Sequence, residues 1–174
     1  MPLNLPNKNA TQGRKAGRSG NRAEAGVEGY CRFYAMQGAA FIDRQNVRTS
    51  GSPTARRIIG KAPIDFGGVI GGGRAIFAEV KSSGCKSGLQ IDDRHLEPHQ
   101  IEALAVRGGM GAVAVVLWLN GDTLGVADWR AVGKAARERS SVPRSAFTWL
   151  PVLSFDWLPV AIAVDRAAGC EVAQ

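Results

Sequence analysis

The sequence predicts an α/β fold in which helices flank a central mixed β-sheet, and three observations support it. At 174 residues, 45% of them hydrophobic, the chain is long enough for one domain with a buried core. The apolar run at Ala112–Leu119, AVAVVLWL, has the continuous hydrophobicity of a strand buried on both faces. Predicted elements follow the order α, β, β, β, α, β, β, α, which is typical of helices packed on a sheet.

The N-terminal part is predicted to be a basic tail followed by a helix. Residues 1–19 contain few large apolar groups, so we expect them to be a disordered tail, with a single domain from 20 to 174. Apolar residues at i, i+3, i+4 and i+7 predict one face of a helix, namely Val27, Tyr30, Cys31 and Tyr34. Gly38 is a suitable C-terminal stop for this helix, and a short strand at 39–42 is expected to follow.

Two strands joined by a tight turn are predicted in the middle of the chain. Apolar segments at 64–70 and 74–81 are separated by Gly71–Gly73, and a glycine cluster of this kind is typical of a hairpin turn. No Lys-Ser/Thr pair follows these glycines at the spacing of a phosphate-binding loop. The preceding residues, 43–60, mix Arg, Ser, Gly and Pro without hydrophobic periodicity, which predicts a projecting loop or an irregular hairpin.

The second half of the chain is predicted to add two helices and two strands. After a polar loop at 82–96, Pro98 occupies the first position of a helix that runs to about residue 107. The buried strand at 112–119 is joined to a partner strand by a turn at 120–122, and a helix follows near 129–139. These elements complete the helices and strands of the predicted fold.

The positive charge of the chain is concentrated in its N-terminal third. The formal net charge is +7, whereas residues 1–61 alone carry +8, from eleven Lys or Arg and three acidic residues. Such a one-sided basic field favours a polyanion such as nucleic acid as a partner. A tail that only keeps the protein soluble explains the charge of residues 1–20, but it does not explain the basic residues at 44–61.

The pattern with the clearest chemical meaning is Asp65, thirteen intervening residues, and then Glu79 and Lys81. If the predicted hairpin strands pair, the two carboxylates converge, and Lys81 shares a face with Glu79 because residues i and i+2 point to the same side. Two carboxylates suit Mg²⁺ or Mn²⁺, and a nearby lysine can orient water or stabilise charge on a phosphate. The alternative is a turn-capping aspartate beside a solvated ion pair. Apolar neighbours and the adjacent basic segment favour a metal-dependent nuclease.

Histidines and tryptophans in the sequence have simpler interpretations than metal or base binding. His95 and His99 are four residues apart, but a helix that begins at Pro98 removes the shared face that two zinc ligands require. Aromatic side chains can stack on bases, yet these tryptophans lie in apolar segments. We expect the core or an interface to contain Trp118, Trp149 and Trp157.

The composition favours a soluble cytoplasmic protein. The apolar run at 112–119 is far shorter than the roughly 20 residues that span a bilayer. The first twenty residues lack the apolar segment of a secretory signal. Three cysteines without Cys-x-x-Cys spacing, Cys31, Cys85 and Cys170, suggest neither a zinc cluster nor a disulfide framework.

Several segments of the sequence carry a family resemblance. They are GNRAE with the following Phe33-Tyr34 pair, PIDFGG, IFAEVKSS, LEPHQIEAL, RSSVPRSAF and FDWLP. From about Gly20 to the C-terminal region the chain resembles the RecU family of Holliday junction resolvases, members of the PD-(D/E)xK restriction-endonuclease-like superfamily. The resemblance implies a restriction-endonuclease-like core, a mixed sheet flanked by helices, with a projecting basic stalk at about 45–60.

The resemblance also implies the site. The implied catalytic residues are Glu24, Asp65, Glu79, Lys81 and Gln100. The implied metal ligands are Asp65, Glu79, Glu24 and the backbone carbonyl of Val80, and the expected cofactor is Mg²⁺ or Mn²⁺. Lys81 is expected to orient or activate the attacking water. Glu28 is a second candidate for the glutamate of the first helix, although Glu24 has the better spacing.

Family members act as homodimers whose two active sites cut opposing strands of a four-way DNA junction symmetrically, with the stalk in the junction centre. The stalk is shorter here than is usual in the family. The residues expected to bind DNA are Arg14, Lys15, Arg18, Arg48, Arg56, Arg57 and Lys61. Two alternatives remain: a restriction- or repair-type endonuclease of the same superfamily that acts on another DNA structure, and a non-catalytic DNA-binding protein.

Overall fold

The computed structural model describes most of the chain. The described residues are 8–45, 48–50, 57–60, 62–93, 95–138, 141–151 and 156–171. Side chains are described at 22–45, 62–93, 95–138, 141–151 and 156–169.

Six strands form the central sheet. In chain order they are β1 (Ala40–Arg44), β4 (Phe66–Ile70), β5 (Ala75–Ser82), β7 (Val113–Asn120), β8 (Thr123–Asp128) and β10 (Thr148–Pro151). They lie side by side in this same order. Neighbouring strands are antiparallel except β5 and β7, which are parallel, so the sheet is mixed, as the sequence predicts.

Four short strands form two further two-stranded sheets. They are β2 (Arg48–Ser50) with β3 (Arg57–Gly60), and β6 (Gly88–Gln90) with β9 (Ser141–Pro143). The β2–β3 pair lies between β1 and β4 in the chain, where the sequence predicts a loop or an irregular hairpin. The polar loop expected at 82–96 contains β6, which the sequence analysis missed.

Helices pack against both faces of the central sheet. They are α1 (Lys8–Met36), α2 (Pro98–Gly109), α3 (Trp129–Glu138) and α4 (Trp157–Glu171). Helices α1 and α4 contact one face, and α2 and α3 contact the other. This arrangement confirms the predicted α/β class with a mixed sheet flanked by helices. Among the described residues, no helix combines the length and the apolar character that a membrane span needs.

Strand β7 divides the interior into two cores. Its alternate residues Val113, Val115, Leu117 and Leu119 pack with α1 and α4, while Ala114, Val116 and Trp118 pack with α2 and α3. All of these side chains are buried, which confirms that the run at 112–119 is a strand covered on both faces.

Helix α1 packs on the sheet through the predicted face. Val27, Cys31 and Tyr34 are buried, and the Tyr34 hydroxyl donates to Asp156 (2.9 Å) and accepts the Leu158 N–H (3.1 Å). These bonds connect α1 to the beginning of α4. The sequence analysis expected a disordered tail up to residue 19. The structure instead describes α1 from Lys8, so the backbone at 8–19 is helical. Extension of an existing helix costs little per residue, because only nucleation is strongly unfavourable.

The predicted turn between β4 and β5 is confirmed. Gly72 and Gly73 have φ angles of 84° and 81°, a conformation that L side chains rarely adopt. The turn places the two strands antiparallel, with Phe66 opposite Ala78.

The C-terminal region contains elements that the sequence analysis missed, among them β9, β10 and α4. Trp157 at the start of α4 is fully buried, as is Trp118 on β7, so the expectation that they are core residues is confirmed. Trp149 on β10 is partly buried and lies 5.3 Å from the Trp118 ring, with the Arg144 guanidinium 3.9 Å from its own ring centre.

Candidate active site

The candidate site lies where β5 extends beyond the end of β4. Pairing of these strands runs from Val69 opposite Ala75 to Phe66 opposite Ala78. Strand β5 then continues to Ser82, with β7 along its other edge. In this register, Asp65 directly precedes β4 and therefore lies beside the part of β5 that β4 does not reach.

Asp65 takes the place of a strand partner for β5. Its Oδ2 accepts the Val80 N–H at 2.9 Å, and its own N–H donates to Glu79 Oε2 at 3.2 Å. The N–H and C=O of one strand residue point to the same edge. We therefore expect the Val80 carbonyl to face the Asp65 edge, as its predicted role as a metal ligand requires.

Glu79 is the buried centre of the site. Its side chain is fully buried, and its Oε1 accepts from Lys81 Nζ at 2.7 Å and from Gln100 Nε2 at 2.5 Å. Burial, with a further contribution from the negative charge of Asp65, raises the pKa of Glu79 to about 8, while Lys81 opposes this shift. The structure thus brings together four residues that the sequence analysis selected.

Gln100 is held in one orientation by the start of α2. It is the third residue of the helix, and its Oε1 accepts the Glu97 N–H at 3.0 Å. The Glu97 side chain in turn accepts the Gln100 backbone N–H, which completes a capping box. Because its oxygen is used in the cap, Gln100 presents its N–H donor to Glu79. Gln100 therefore positions Glu79 through this hydrogen bond.

Glu24 lies on α1 at the side of the site and forms an ion pair with Arg44, the last residue of β1. Burial raises the pKa of Glu24, and Arg44 opposes this shift. Asp65 raises the pKa of Glu24 further and Lys81 lowers it, so Asp65 and Lys81 both lie within electrostatic reach of Glu24. Glu28 instead pairs with the exposed Arg32. Glu24 is thus the glutamate of the first helix that interacts with the site.

Arg44 was not selected as a site residue by the sequence analysis, which ended the first strand at residue 42. Strand β1 pairs antiparallel with β4, and Arg44 lies opposite Phe66. The next residue, Gln45, donates its N–H to the Asp65 carbonyl at 2.7 Å. The signal for Arg44 is therefore the strand register, which the sequence pattern alone does not define.

The residues predicted to bind DNA are only partly covered by the structure. The backbone of α1 includes Arg14, Lys15 and Arg18, and β2 and β3 begin at Arg48 and Arg57, but these five side chains lie outside the described ones. Arg56 and Lys61 lie outside the described residues altogether. The β2–β3 pair nevertheless connects the ends of β1 and β4 that border the site. Its predicted role in DNA binding stays a prediction.

The donor set of the site can be compared with the needs of the expected metal. Among the described side chains, no three from His, Cys, Asp and Glu are grouped closely enough to hold a metal ion on their own. Asp65 and Glu79 are two adjacent carboxylates, and Mg²⁺ is usually held by one or two carboxylates together with waters and substrate phosphates. The chemistry of this pair fits Mg²⁺ or Mn²⁺.

Comparisons with known proteins add no family to these observations. A scan against protein-family models and a search of curated proteins both find no match to this chain. The resemblance to the RecU family and the restriction-endonuclease-like core therefore stay predictions from the sequence.

Proposed function

We propose that this protein is a metal-dependent endonuclease that resolves four-way DNA junctions by hydrolysing phosphodiester bonds. The observation that carries the proposal is the convergence of Asp65, Glu79 and Lys81 where β5 extends past β4. Residues fourteen positions apart in sequence meet through backbone and side-chain hydrogen bonds. Burial of a carboxylate beside a second carboxylate costs folding free energy, even with a lysine nearby. Ionisable groups held at such a cost cluster at functional sites.

The residues have distinct roles in the proposed reaction. Asp65, Glu79 and the Val80 carbonyl would hold Mg²⁺, which would act as a Lewis acid on the phosphate and lower the pKa of a bound water. Lys81, 2.7 Å from Glu79, orients the water that attacks phosphorus and places a positive charge near the developing negative charge. Gln100 keeps the Glu79 carboxylate in position through its hydrogen bond.

Selectivity for junctions is assigned to the basic N-terminal third and to a homodimer. The β2–β3 pair lies in the chain between Arg44, where β1 ends, and Asp65, which precedes β4, so a stalk at this position would direct DNA toward the site. Two copies of the site in a homodimer would cut opposing strands of a junction symmetrically. These two features rest on the charge distribution and on the family resemblance.

The test is cleavage of a synthetic, end-labelled four-way junction by the purified protein in Mg²⁺, in Mn²⁺ and in EDTA, with a linear duplex of matched length as the control. We expect metal-dependent nicks at symmetric positions on two opposing strands of the junction alone. Equal cleavage of junction and duplex would favour a restriction- or repair-type nuclease. Metal-independent binding without cleavage would favour a non-catalytic DNA-binding protein.

A further inference from the structure

The site contains two cations with different surroundings. Lys81 is 17% exposed and contacts the fully buried Glu79, so it belongs to the interior of the site. The Arg44 side chain is 50% exposed and contacts Glu24, which is 21% exposed. Of the two cations, Arg44 is the one that an incoming ligand can reach.

The three carboxylates also differ in how firmly they are held. Asp65 is bonded to the backbone of β5, and Glu79 to Gln100, Lys81 and the Asp65 N–H. For Glu24, the contact among the described residues is the ion pair with Arg44. Glu24 and Arg44 can therefore separate while the buried hydrogen bonds of Asp65 and Glu79 stay in place.

The charge of the site depends on a bound metal. A divalent cation adds two positive charges to a site that already contains Arg44 and Lys81, so it makes the site more positive even if it displaces a proton from the buried Glu79. A more positive site attracts a phosphodiester more strongly. A divalent cation held by Asp65 and Glu79 would also attract the carboxylate of Glu24, which interacts electrostatically with Asp65, and would then compete with Arg44 for it.

We propose that Arg44 is a DNA-phosphate-binding residue that Glu24 holds in the metal-free protein and releases when its carboxylate turns to a divalent cation. Arg44 then pairs with a phosphate next to the scissile bond. Arg44 lies at the end of β1, opposite Phe66, where the chain leaves the border of the site and continues to β2 and the predicted stalk. The inference rests on the proposed function in that the ligand is DNA.

The proposal makes metal and DNA binding cooperative through one ion pair. When no metal is present, Arg44 must leave Glu24 before it can bind a phosphate, and this requirement weakens DNA binding. By linkage, a metal that tightens DNA binding is itself bound more tightly in the presence of DNA, by the same factor. Arg44 should account for a measurable part of that factor.

The first experiment measures the affinity of a fluorescein-labelled four-way junction by anisotropy, in EDTA and in Ca²⁺. Ca²⁺ takes the same hard oxygen ligands as Mg²⁺. For Arg44→Met we expect a loss of affinity of at least about tenfold in Ca²⁺ and of less than about twofold in EDTA, because a charge-assisted bond to phosphate is lost only in the first case. The matched control is Arg32→Met, which removes another arginine–glutamate pair, that of Arg32 with Glu28, at an exposed position of α1.

A second set of variants separates release of Arg44 from a simple change of charge. Glu24→Gln removes the partner of Arg44, so it should tighten junction binding in EDTA by several-fold. In the double variant Glu24→Gln/Arg44→Met this gain should disappear. A gain that persists without Arg44, or an equal loss for Arg44→Met in EDTA and Ca²⁺, would overturn the proposal. Thermal unfolding of each variant checks that the fold is intact.

The outcome is independent of cleavage by the wild-type protein. If the wild-type protein cuts no DNA in Mg²⁺ but Arg44 shows the Ca²⁺-dependent effect, the proposed nuclease function fails and the inference holds for a metal-dependent DNA-binding protein. If cleavage occurs and Arg44 shows no such effect, the inference fails and the proposed function stands.

Discussion

Asp65 combines a structural and a proposed catalytic role in one carboxylate. Its Oδ2 accepts the Val80 N–H, and an asparagine can still accept this bond through its amide oxygen. We therefore expect Asp65→Asn to keep the fold and to lose the negative charge that the metal requires. Cleavage of the junction should fall by more than about a hundredfold, since even residues outside the ligand shell of metal sites are worth about 10–100-fold.

The measurement for Asp65→Asn is junction cleavage in Mg²⁺ together with junction affinity in EDTA. Affinity should stay equal or increase, because the substitution removes a negative charge from the proposed DNA-binding face. A parallel loss of both properties at an unchanged melting temperature would show that Asp65 does not act as a metal ligand.

Two cysteines outside the site should react very differently with alkylating agents. Cys31 is buried on α1, and burial raises its pKa to about 12, whereas hydrogen bonds led by Ser87 lower the pKa of the accessible Cys85. At pH 8 we expect iodoacetamide to modify Cys85 rapidly and Cys31 only after unfolding, as measured by mass spectrometry of peptides. Cys85→Ser is the control that removes the fast site. Rapid modification of Cys31 in folded protein would contradict its position in the core.

The alkaline stability of the protein depends on the same buried thiol. In the unfolded chain Cys31 ionises near its ordinary pKa of 9.0, while in the folded protein ionisation requires about pH 12. The thiol therefore contributes stability that is fully present below pH 9 and is lost as the pH rises through 12. Because the raised pKa of Tyr34 causes a decline in the same direction, the measurement is the difference in urea denaturation between the wild type and Cys31→Ala at a series of alkaline pH values.

For single residues, the sequence indicates which side chains can take part in the reaction better than it indicates how those side chains are oriented. Asp65, Glu79 and Lys81 could be selected because a carboxylate pair and a lysine at this spacing have a recognisable purpose. The orientation of Gln100 could not be predicted, since it follows from a capping box with Glu97. Arg44 could not be selected either, because its proximity to Asp65 follows from the β1–β4 register.

Among the elements, those with strong patterns were predicted and the short ones were not. The apolar run of β7 and the three glycines before β5 each define one local structure. Strands β6 and β9 have three residues each, too few to show a period of two. The apolar segment of α4 shows no clear periodicity, and Pro159 close to its start is compatible with a helix only in the first turn.

The close approach of β1 and β4 should make Gly68 intolerant of a side chain. A Cβ at Gly68 would lie 2.0 Å from the Phe41 carbonyl oxygen and 2.7 Å from the Ile42 Cα, and both are backbone atoms that cannot turn aside. We expect Gly68→Ala to lower the free energy of unfolding by about 1–3 kcal/mol, the usual cost of overpacking. Urea denaturation followed by circular dichroism measures this difference.

The matched control is Gly29→Ala in the interior of α1. A Cβ there meets no atom within 4 Å, and alanine favours a helix over glycine by about 0.5–1 kcal/mol. This variant should therefore be more stable than the wild type. Similar midpoints for both alanine variants would show that β1 and β4 are farther apart than described.

At the scale of the whole molecule, the basic segment lies in the chain between β1 and β4, the two strands whose ends border the candidate site. The chain leaves β1 at Arg44, passes through the basic β2–β3 segment and returns at Asp65. The sequence already places the basic segment directly before Asp65, and the topology adds that this segment connects the ends of β1 and β4 that border the site. The expected homodimer depends on a second chain, and the fold of one chain does not define it.

The predicted stalk should distinguish a junction from a duplex. Arg56 lies outside the described residues and Arg57 begins β3, both within the basic segment. For Arg56→Ala/Arg57→Ala we expect a larger decrease in affinity for a four-way junction than for a duplex, because the family resemblance implies that the stalk inserts at the junction centre. The slope of log affinity against log salt should fall by about 1 for each phosphate that the variant no longer binds. Lys134→Ala/Arg137→Ala on α3 is the matched control, since it removes two exposed charges elsewhere. Equal decreases in affinity for the junction and the duplex would show that this segment contributes only general electrostatic attraction to DNA.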